Sequence, residues 1–563
     1  MIIKMESMKK IVCIVVLCSF LAACSKETVS RIPLDTMDDN FAAYLLENFD
    51  LNRDGFISEE EAALVKEIDT YGLIISSLDG IQYFPNLEIL NCSYKNLGTI
   101  DVSNNAALKY LDCSGNQLAK VDVSKNSVLE TLISEFNPVV ELKTNTELRK
   151  LILMGHMMNS LNFSGHKSLR EIYCFGYECI TIDISHTLLD TFICTNYGLA
   201  MLNLDGCSSM KKLDFGGQGM TVDLGHCPNL EYLTVYGLRN LDVSHCPLLK
   251  SLNITYSILP DLDLHNNSAL EELIIDDRTS VTNGIDVSNK LRLVTLKAHS
   301  IVNNNLDLSN HQFLESVDIS APDGFESLNF SGCTSLKDLH IWGGAAKSLN
   351  VKGCITLSTL NYKGSGLTEL DVEGLASLSE LDCFYNNLSK LNLKGCVALS
   401  ILNCSNNQLI ELDIEDCTNL TDLNVAFNRL TSLKTNSEQL SVVNCGNNPL
   451  IEMEFQNNSR LKELNCEYMN SMSSLEMPNS PSLEKLVCSN NKFETLDVSK
   501  CPNLIYLTCR NNLLQPKLDV SKCRSLSELD CEYNPELTEL VLYRHHVIST
   551  LRKDAQTQII LSD

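Results

Sequence analysis

Catalytic signatures are missing from this chain: no G-x-S-x-G, H-E-x-x-H, phosphate-binding loop or paired catalytic carboxylate stands out, so an enzyme would have no nucleophile or base to name. Beyond the first 24 residues no apolar run approaches the length of a membrane helix, which excludes an ordinary spanning segment. Positive charge is scarce, with 44 Lys and Arg against 71 Asp and Glu, a formal charge of −27. That balance disfavours nucleic acid and anionic lipid as partners. Tryptophan occurs once, at Trp342.

What is present is a phrase. From Leu87 onwards L-x-x-L-x-C-x-x-N-x-L-x-x-L-D-V-S returns about every 21 residues, cleanly so in Leu378, Leu381, Cys383, Asn386, Leu388, Leu391 and Leu393, and 22 first-leucine anchors run from Leu87 to Leu526. One such coil is too small to bury its own apolar face, so its leucines are shielded only by coils stacked on both sides. The slots L-x-x-L-x-C alternate inward and outward as a strand does. Successive coils should therefore pair into one parallel sheet, advancing about 4.8 Å per coil over roughly 100 Å. The second half-turn, as in Ile100-Asp101-Val102-Ser103, is extended too and leaves no room for a helix. The expected class is mainly β.

The motif L-x-x-L-x-(L/C)-x-x-N-x-L resembles the core of leucine-rich repeats over about four-fifths of the chain, and the short helix-free coils look most like internalin-type bacterial arrays. The resemblance implies a right-handed solenoid with a continuous concave parallel sheet, serving as a protein- or ligand-binding module without catalysis. It also implies that the buried asparagine amide bonds the turn backbone of adjoining coils, a structural role. At the N-terminus Lys9 and Lys10, an apolar run from Ile11 to Ala23, and Cys24 have the order of a secretory signal, and Leu21-Ala22-Ala23-Cys24 resembles the lipobox of bacterial lipoproteins, whose cysteine is acylated. Loss of residues 1–23, with three Lys and one Glu, takes the charge to −29.

Twenty-four cysteines in an exported chain would ordinarily suggest disulfides, but here their spacing follows the repeat. Eleven, among them Cys92, Cys383 and Cys531, fill the inward strand slot; nine, among them Cys207, Cys333 and Cys523, stand three residues before the next anchor, where Asn105, Asn126 and Asn267 stand in other coils. They read as free thiols packed as small hydrophobes. His166, His186, His226, His245 and His265 recur near the convex turn but complete no ligand set independent of the repeat.

Before the first anchor, Asp50-Leu51-Asn52-Arg53-Asp54-Gly55-Phe56-Ile57-Ser58-Glu59-Glu60-Glu61 matches the EF-hand loop. Oxygen ligands for one Ca²⁺ would be Asp50, Asn52, Asp54, the carbonyl of Phe56, Ser58 directly or through water, and bidentate Glu61, with Gly55 at the sharp turn. Apolar residues at helical spacing on both sides supply flanking helices that would cap the solenoid. Only one loop is present.

On the concave face, three outward slots per coil hold mostly small polar residues at the ends. Between about coils five and thirteen they hold Tyr173, Phe175, Tyr232, Tyr236, His299, His340 and Trp342. Aromatic side chains of this kind dominate binding hot spots and stack on sugars. Over the same coils the asparagine slot fails, holding His156, Tyr177, Tyr197, Gln218 and Leu238. The expected organisation is a signal peptide at 1–23, a lipidated tether at 24–36, an EF-hand-like helical cap at 37–72, repeats at 73–540 and a C-terminal cap at 541–563. The expected function is a monomeric, lipid-anchored envelope or surface recognition protein, held to the outer membrane only by lipid on Cys24, binding a protein or glycan through Tyr173, Phe175, Tyr232, Tyr236, His340 and Trp342. The alternative is a non-recognising scaffold or spacer of the envelope.

Overall fold

A computed structural model describes residues 30–563 apart from 138–139, 143–144, 156–158, 165, 177–178, 196–197, 300–304, 321–324, 344–345, 365, 456–457, 470, 476 and 478–479. The signal peptide, Cys24, and the slot residues His156, Tyr177 and Tyr197 lie outside the described residues. Side chains of a strand alternate between its two faces. Accordingly, in Glu171–Phe175 buried Ile172 and Cys174 alternate with half-buried Glu171, Tyr173 and Phe175. Each such strand pairs in parallel and without stagger with its equivalent in the next coil, as Asp338 with Thr359, His340 with Asn361 and Trp342 with Lys363. The result is a 24-stranded parallel sheet and a leucine-rich-repeat solenoid, with the leucines of successive coils joined into one core. The second half-turns form eight short sheets of two or three strands among the described residues.

Two more strands are present than there are anchors, one at each end. Glu67–Asp69 pairs with Ile89–Asn91, so the stack begins at buried Val65, within the segment read as cap. Thr550–Arg552 pairs with Glu528–Asp530, and Gln558–Ser562 continues a second-half sheet, so 541–563 is a further coil with Ile559, Ile560 and Leu561 exposed at its open edge. Both coils carry substitutes in the diagnostic slots, which hides them from the motif. Thr70 stands in the first for cysteine. In the last, Asp554 accepts from the Tyr533 and Asn534 amides at 3.0 and 2.7 Å.

Strand pairing alone leaves the turn after each strand unsatisfied, and the asparagine slot answers that need. Asn407 Nδ2 donates to Cys404 O of its own coil and Cys383 O of the coil before, both at 3.0 Å, while its Oδ1 accepts from Leu388 N at 3.0 Å. The same bonds recur at Asn428, Asn448 and Asn512. A second column runs through the slot three residues before the anchor. Asn267 Nδ2 donates to Val243 O at 2.9 Å, and where cysteine takes its place the thiol donates instead, Cys333 to Leu308 O at 3.0 Å and Cys354 to Phe330 O at 3.1 Å. His166, the first of the convex-turn histidines, belongs to this column: its Nε2 lies 2.8 Å from Leu142 O. The cysteines of this column are thus more than small hydrophobes: they replace asparagine because both present a hydrogen to the preceding coil.

All 21 described cysteines are free and buried. Burial pushes the Cys404 and Cys445 thiols up to about 12, so they stay protonated and poorly nucleophilic. Thiol reagents should therefore label none of these 21 cysteines in the native protein and all of them after unfolding; fewer labelled after non-reducing unfolding would reveal bonds between coils. Replacing Asn407 by Ala leaves the Leu388 amide unpaired and takes one of two asparagine donors from each of Cys383 O and Cys404 O, and it should lower stability by about 2 kcal/mol in denaturant titration.

Candidate recognition surface and calcium loop

The cap is built from two helices, α1 (Asp39–Phe49) and α2 (Glu59–Leu64). Asp38 opens α1 by accepting from Asn40 N and Phe41 N. Ser58 and Glu61 open α2 by bonding each other's backbone amides. Between them the loop is wound by its own acidic side chains. Asp50 accepts from Gly55 N at 2.9 Å, Asn52 from Asp54 N at 2.8 Å and Asp54 from Phe56 N at 3.0 Å, with Gly55 at φ +83°. This hard-oxygen donor set suits Ca²⁺ in identity and spacing. Glu61, however, accepts from Leu51 N and Asn52 N with one oxygen and from Ser58 N with the other, and the Ser58 amide leads in holding its carboxyl below the usual range. Asp50, Asp54 and Glu61 thus form no preformed cluster of three acids, nor do any other His, Cys, Asp or Glu side chains among the described residues. Bidentate ligation by Glu61 requires it to exchange these backbone partners for the ion.

The solitary loop has a partner strand all the same. Ile32 N donates to Ile57 O at 2.9 Å and Glu59 N to Ser30 O at 3.1 Å, an antiparallel pairing along the edge that a second loop would use. Arg31 lies 3.7 Å from the Phe56 ring centroid and 3.9 Å from Asp54, and Ile32 is buried. Residues 30–36, read from sequence as tether, are packed into the cap.

The six aromatic and histidine side chains singled out on the concave face fall into three pairs rather than one patch. Tyr173 and Phe175 share a strand three pairings away from Tyr232 and Tyr236, roughly 14 Å, and these lie five pairings, roughly 24 Å, from His340 and Trp342. In the last pair the indole is held in place: Trp342 Nε1 donates to Asp318 Oδ1 at 2.9 Å, His340 stacks beside it with planes 11° apart, and Lys363 Nζ stands 5.2 Å over the ring while pairing with Asp382 at 2.9 Å. His299 and Lys297 both face Asp318 at 3.8 Å. Trp342 remains 42% exposed, so a fixed ring is offered to a partner.

Around Tyr232 and Tyr236 the sheet carries chemistry that the sequence did not announce. Thr234 lies between those tyrosines on its strand and pairs with Asp214 on one side and Asn253 on the other. Asp214 Oδ1 and Asn253 Oδ1 are both buried without a hydrogen-bond partner. Burial raises the Asp214 carboxyl to about 6, with Lys212 opposing weakly. The Oδ1 atoms of Asn105, Asn126, Asn145, Asn267 and Asn458 are unpaired too, but they lie in the second column inside the solenoid, whereas Asp214 and Asn253 stand on the concave sheet, where a partner can supply the donor. Alongside, where the asparagine slot gives way to Gln218 and Leu238, a cleft of about 770 Å³ opens between Gly217, Gly219, Tyr236, Arg239, Tyr256 and Ile258. Gly217 is required there, since a Cβ would stand 2.0 Å from Leu199 O. The signal that could have found Asp214 is an acid on the outward face between broad neighbours, Ile193 and Thr234.

No family model matches the chain. Over 68 residues it is 35% identical to Internalin J of Listeria monocytogenes serotype 4b (strain F2365), which covers 12% of this chain and 7% of that protein. Among solved structures, the plant peptide hormone receptor RGFR1 in complex with RGF2 aligns with a TM-score of 0.53 at 16% identity, over 88% of this chain and 92% of that one. The functional domain of InlJ from Listeria monocytogenes, described as including a cysteine ladder, aligns with a TM-score of 0.41 at 22% identity, over 75% and 76%.

Because the native Asp214 carboxyl titrates above its unfolded value, the folded state holds a proton through pH 4–6 that the unfolded chain releases, and stability falls as pH rises across that window. Asp214→Asn should therefore unfold at a higher temperature than the parent at pH 8, the difference closing towards pH 4. By its fold the chain is a leucine-rich-repeat protein, similar over a short stretch to Internalin J.

Proposed function

We propose that this chain is a lipid-anchored recognition protein of the bacterial envelope or cell surface, which binds a protein or glycan partner on its concave sheet between the strands of Tyr173 and Trp342. The observation that carries the reading is the pair of buried, unpartnered oxygens of Asp214 and Asn253, which flank Thr234 on the strand that also carries exposed Tyr232. A purely structural sheet would gain nothing from an unsatisfied carboxylate there. Tyr232, Tyr236 and Trp342 supply rigid contact area, and Asp214 and Asn253 accept from the partner's N–H or O–H groups.

Cys24 carries the lipid in this reading, and residues from Ser30 onwards hold the cap directly against the membrane-proximal end. Ca²⁺ at Asp50, Asn52, Asp54, Phe56, Ser58 and Glu61 fastens the loop that joins α1 to α2. The ion supplies a charge centre that draws these oxygens together, and the chain contributes the Asx turns that already orient Asp50, Asn52 and Asp54.

Three measurements test these points. On a glycan array and in cross-linking to intact cells, the ectodomain should retain a defined ligand that Tyr236→Ala or Trp342→Ala weakens at least tenfold; equal behaviour of parent and variants favours a scaffold. Calcium at millimolar concentration should raise the unfolding midpoint of the parent and leave Glu61→Gln unmoved. Metabolic labelling with palmitate should mark the parent and spare Cys24→Ser.

A further inference from the structure

One residue before the asparagine slot, the backbone turns through the left-handed region in coil after coil. Its φ is +59° at Tyr385, +56° at Asn406, +56° at Phe427, +55° at Asn447 and +57° at Tyr468. Asparagine suits such a position and a bulky side chain does not. Yet Tyr385, Phe427 and Tyr468 occupy it while 65%, 54% and 45% exposed, Tyr385 with its ring 5.7 Å from that of Phe384, so burial does little to offset the strain. Strain held without a packing reason points to use.

The row is regular. Tyr385 N donates to Ser405 O, Asn406 N to Ala426 O, Phe427 N to Gly446 O and Asn447 N to Glu467 O, at 2.8 to 3.1 Å, so strand-like spacing persists along this rim of the concave sheet. Each coil therefore advances the row by about 4.8 Å, and an aromatic ring returns every second coil, about 10 Å on, with an asparagine amide between. No cation covers these three rings among the described residues, whereas Arg278 lies 4.9 Å from the ring of Tyr256 and Arg510 4.5 Å from that of Tyr533 in the same slot.

We propose that Tyr385, Phe427 and Tyr468 form a stacking row for an extended, uncharged β-1,4-linked glycan, separate from the concave face. In such a chain each sugar is turned over relative to the last, so the same pyranose face returns once per disaccharide, a length that matches two coils. Alternate sugars stack on the three rings, and Asn406 and Asn447 hydrogen-bond the hydroxyl or acetamido groups of those between. The formal charge of −27 turns away polyanionic chains. A polyproline helix has a comparable but shorter repeat of about 9 Å. It docks in grooves lined by aromatic rings rather than on a single row of rings with an asparagine between each and the next.

Isothermal titration of the full chain with cellohexaose, chitohexaose, maltohexaose and a decaproline peptide tests this. One or both β-1,4 hexaoses should bind, the pair deciding whether acetamido groups are read, and neither maltohexaose nor decaproline should. The triple variant Tyr385→Asn, Phe427→Asn, Tyr468→Asn places in each coil the residue its neighbours already carry. It should keep or raise the thermal midpoint and weaken binding at least tenfold. Phe427→Asn alone should weaken it at least threefold, which serves if the triple variant loses its fold. Absence of binding by both β-1,4 hexaoses, equal binding of maltohexaose, preference for decaproline, or full binding by a folded triple variant would overturn the proposal.

Discussion

A carbonyl or amide of one coil that finds its partner in the next is the interaction on which this solenoid depends. Strands supply most such bonds, but a chain that must turn out of the sheet every coil leaves groups that no strand can reach. Two columns of side chains meet them. The asparagine column bridges three backbone groups per residue, as Asn428 does between Cys404, Val425 and Leu409. The second column accepts asparagine, cysteine, histidine or serine, because all it demands is one hydrogen aimed at a carbonyl, as in Cys207 to Ile184 and Ser480 to Asn458. Losing one such bond would cost about 0.5–1.5 kcal/mol per coil, which adds up over a stack of this length.

That requirement explains what was legible in the sequence. A slot bound to the neighbouring coil cannot drift without losing its bonds, so leucine, asparagine and cysteine kept a period that fixed the architecture and the free state of the thiols. Legibility ended where other residues met the same need. Thr70 Oγ1 bonds Asn91 O in the first coil, and Lys553 Nζ bonds Thr557 O in the last, and neither resembles the motif. The strand contact of Ser30–Ile32 with the loop at Ile57 was equally silent, since it occurs once and repeats nowhere.

The candidate surface was half legible. Outward slots follow from strand alternation, so the aromatic residues could be placed on the concave face, but their grouping into three pairs depends on how many coils lie between them. Burial within that face could not be foreseen. Asp214 and Asn253 sit in an outward slot, yet their oxygens are buried, as is that of Asn361 in the same slot further along. Trp342 is likewise made rigid by Asp318, which lies one coil away and 24 residues back.

The molecule thus divides into coils fully occupied with holding one another and coils where that occupation lapses. From Asn386 to Asn448 every slot amide is engaged; around Gly217 to Leu238 glycine backbone, a cleft and unpaired oxygens take over. Native-state hydrogen exchange measures this division directly. The amides of Leu388, Leu409 and Leu430, each bonded to an asparagine Oδ1, should exchange at the slowest rates in the chain, with those of the cleft turn at Gly217 to Met220 far faster. Uniform protection along the solenoid, or faster exchange at the asparagine-bonded leucines, would contradict it.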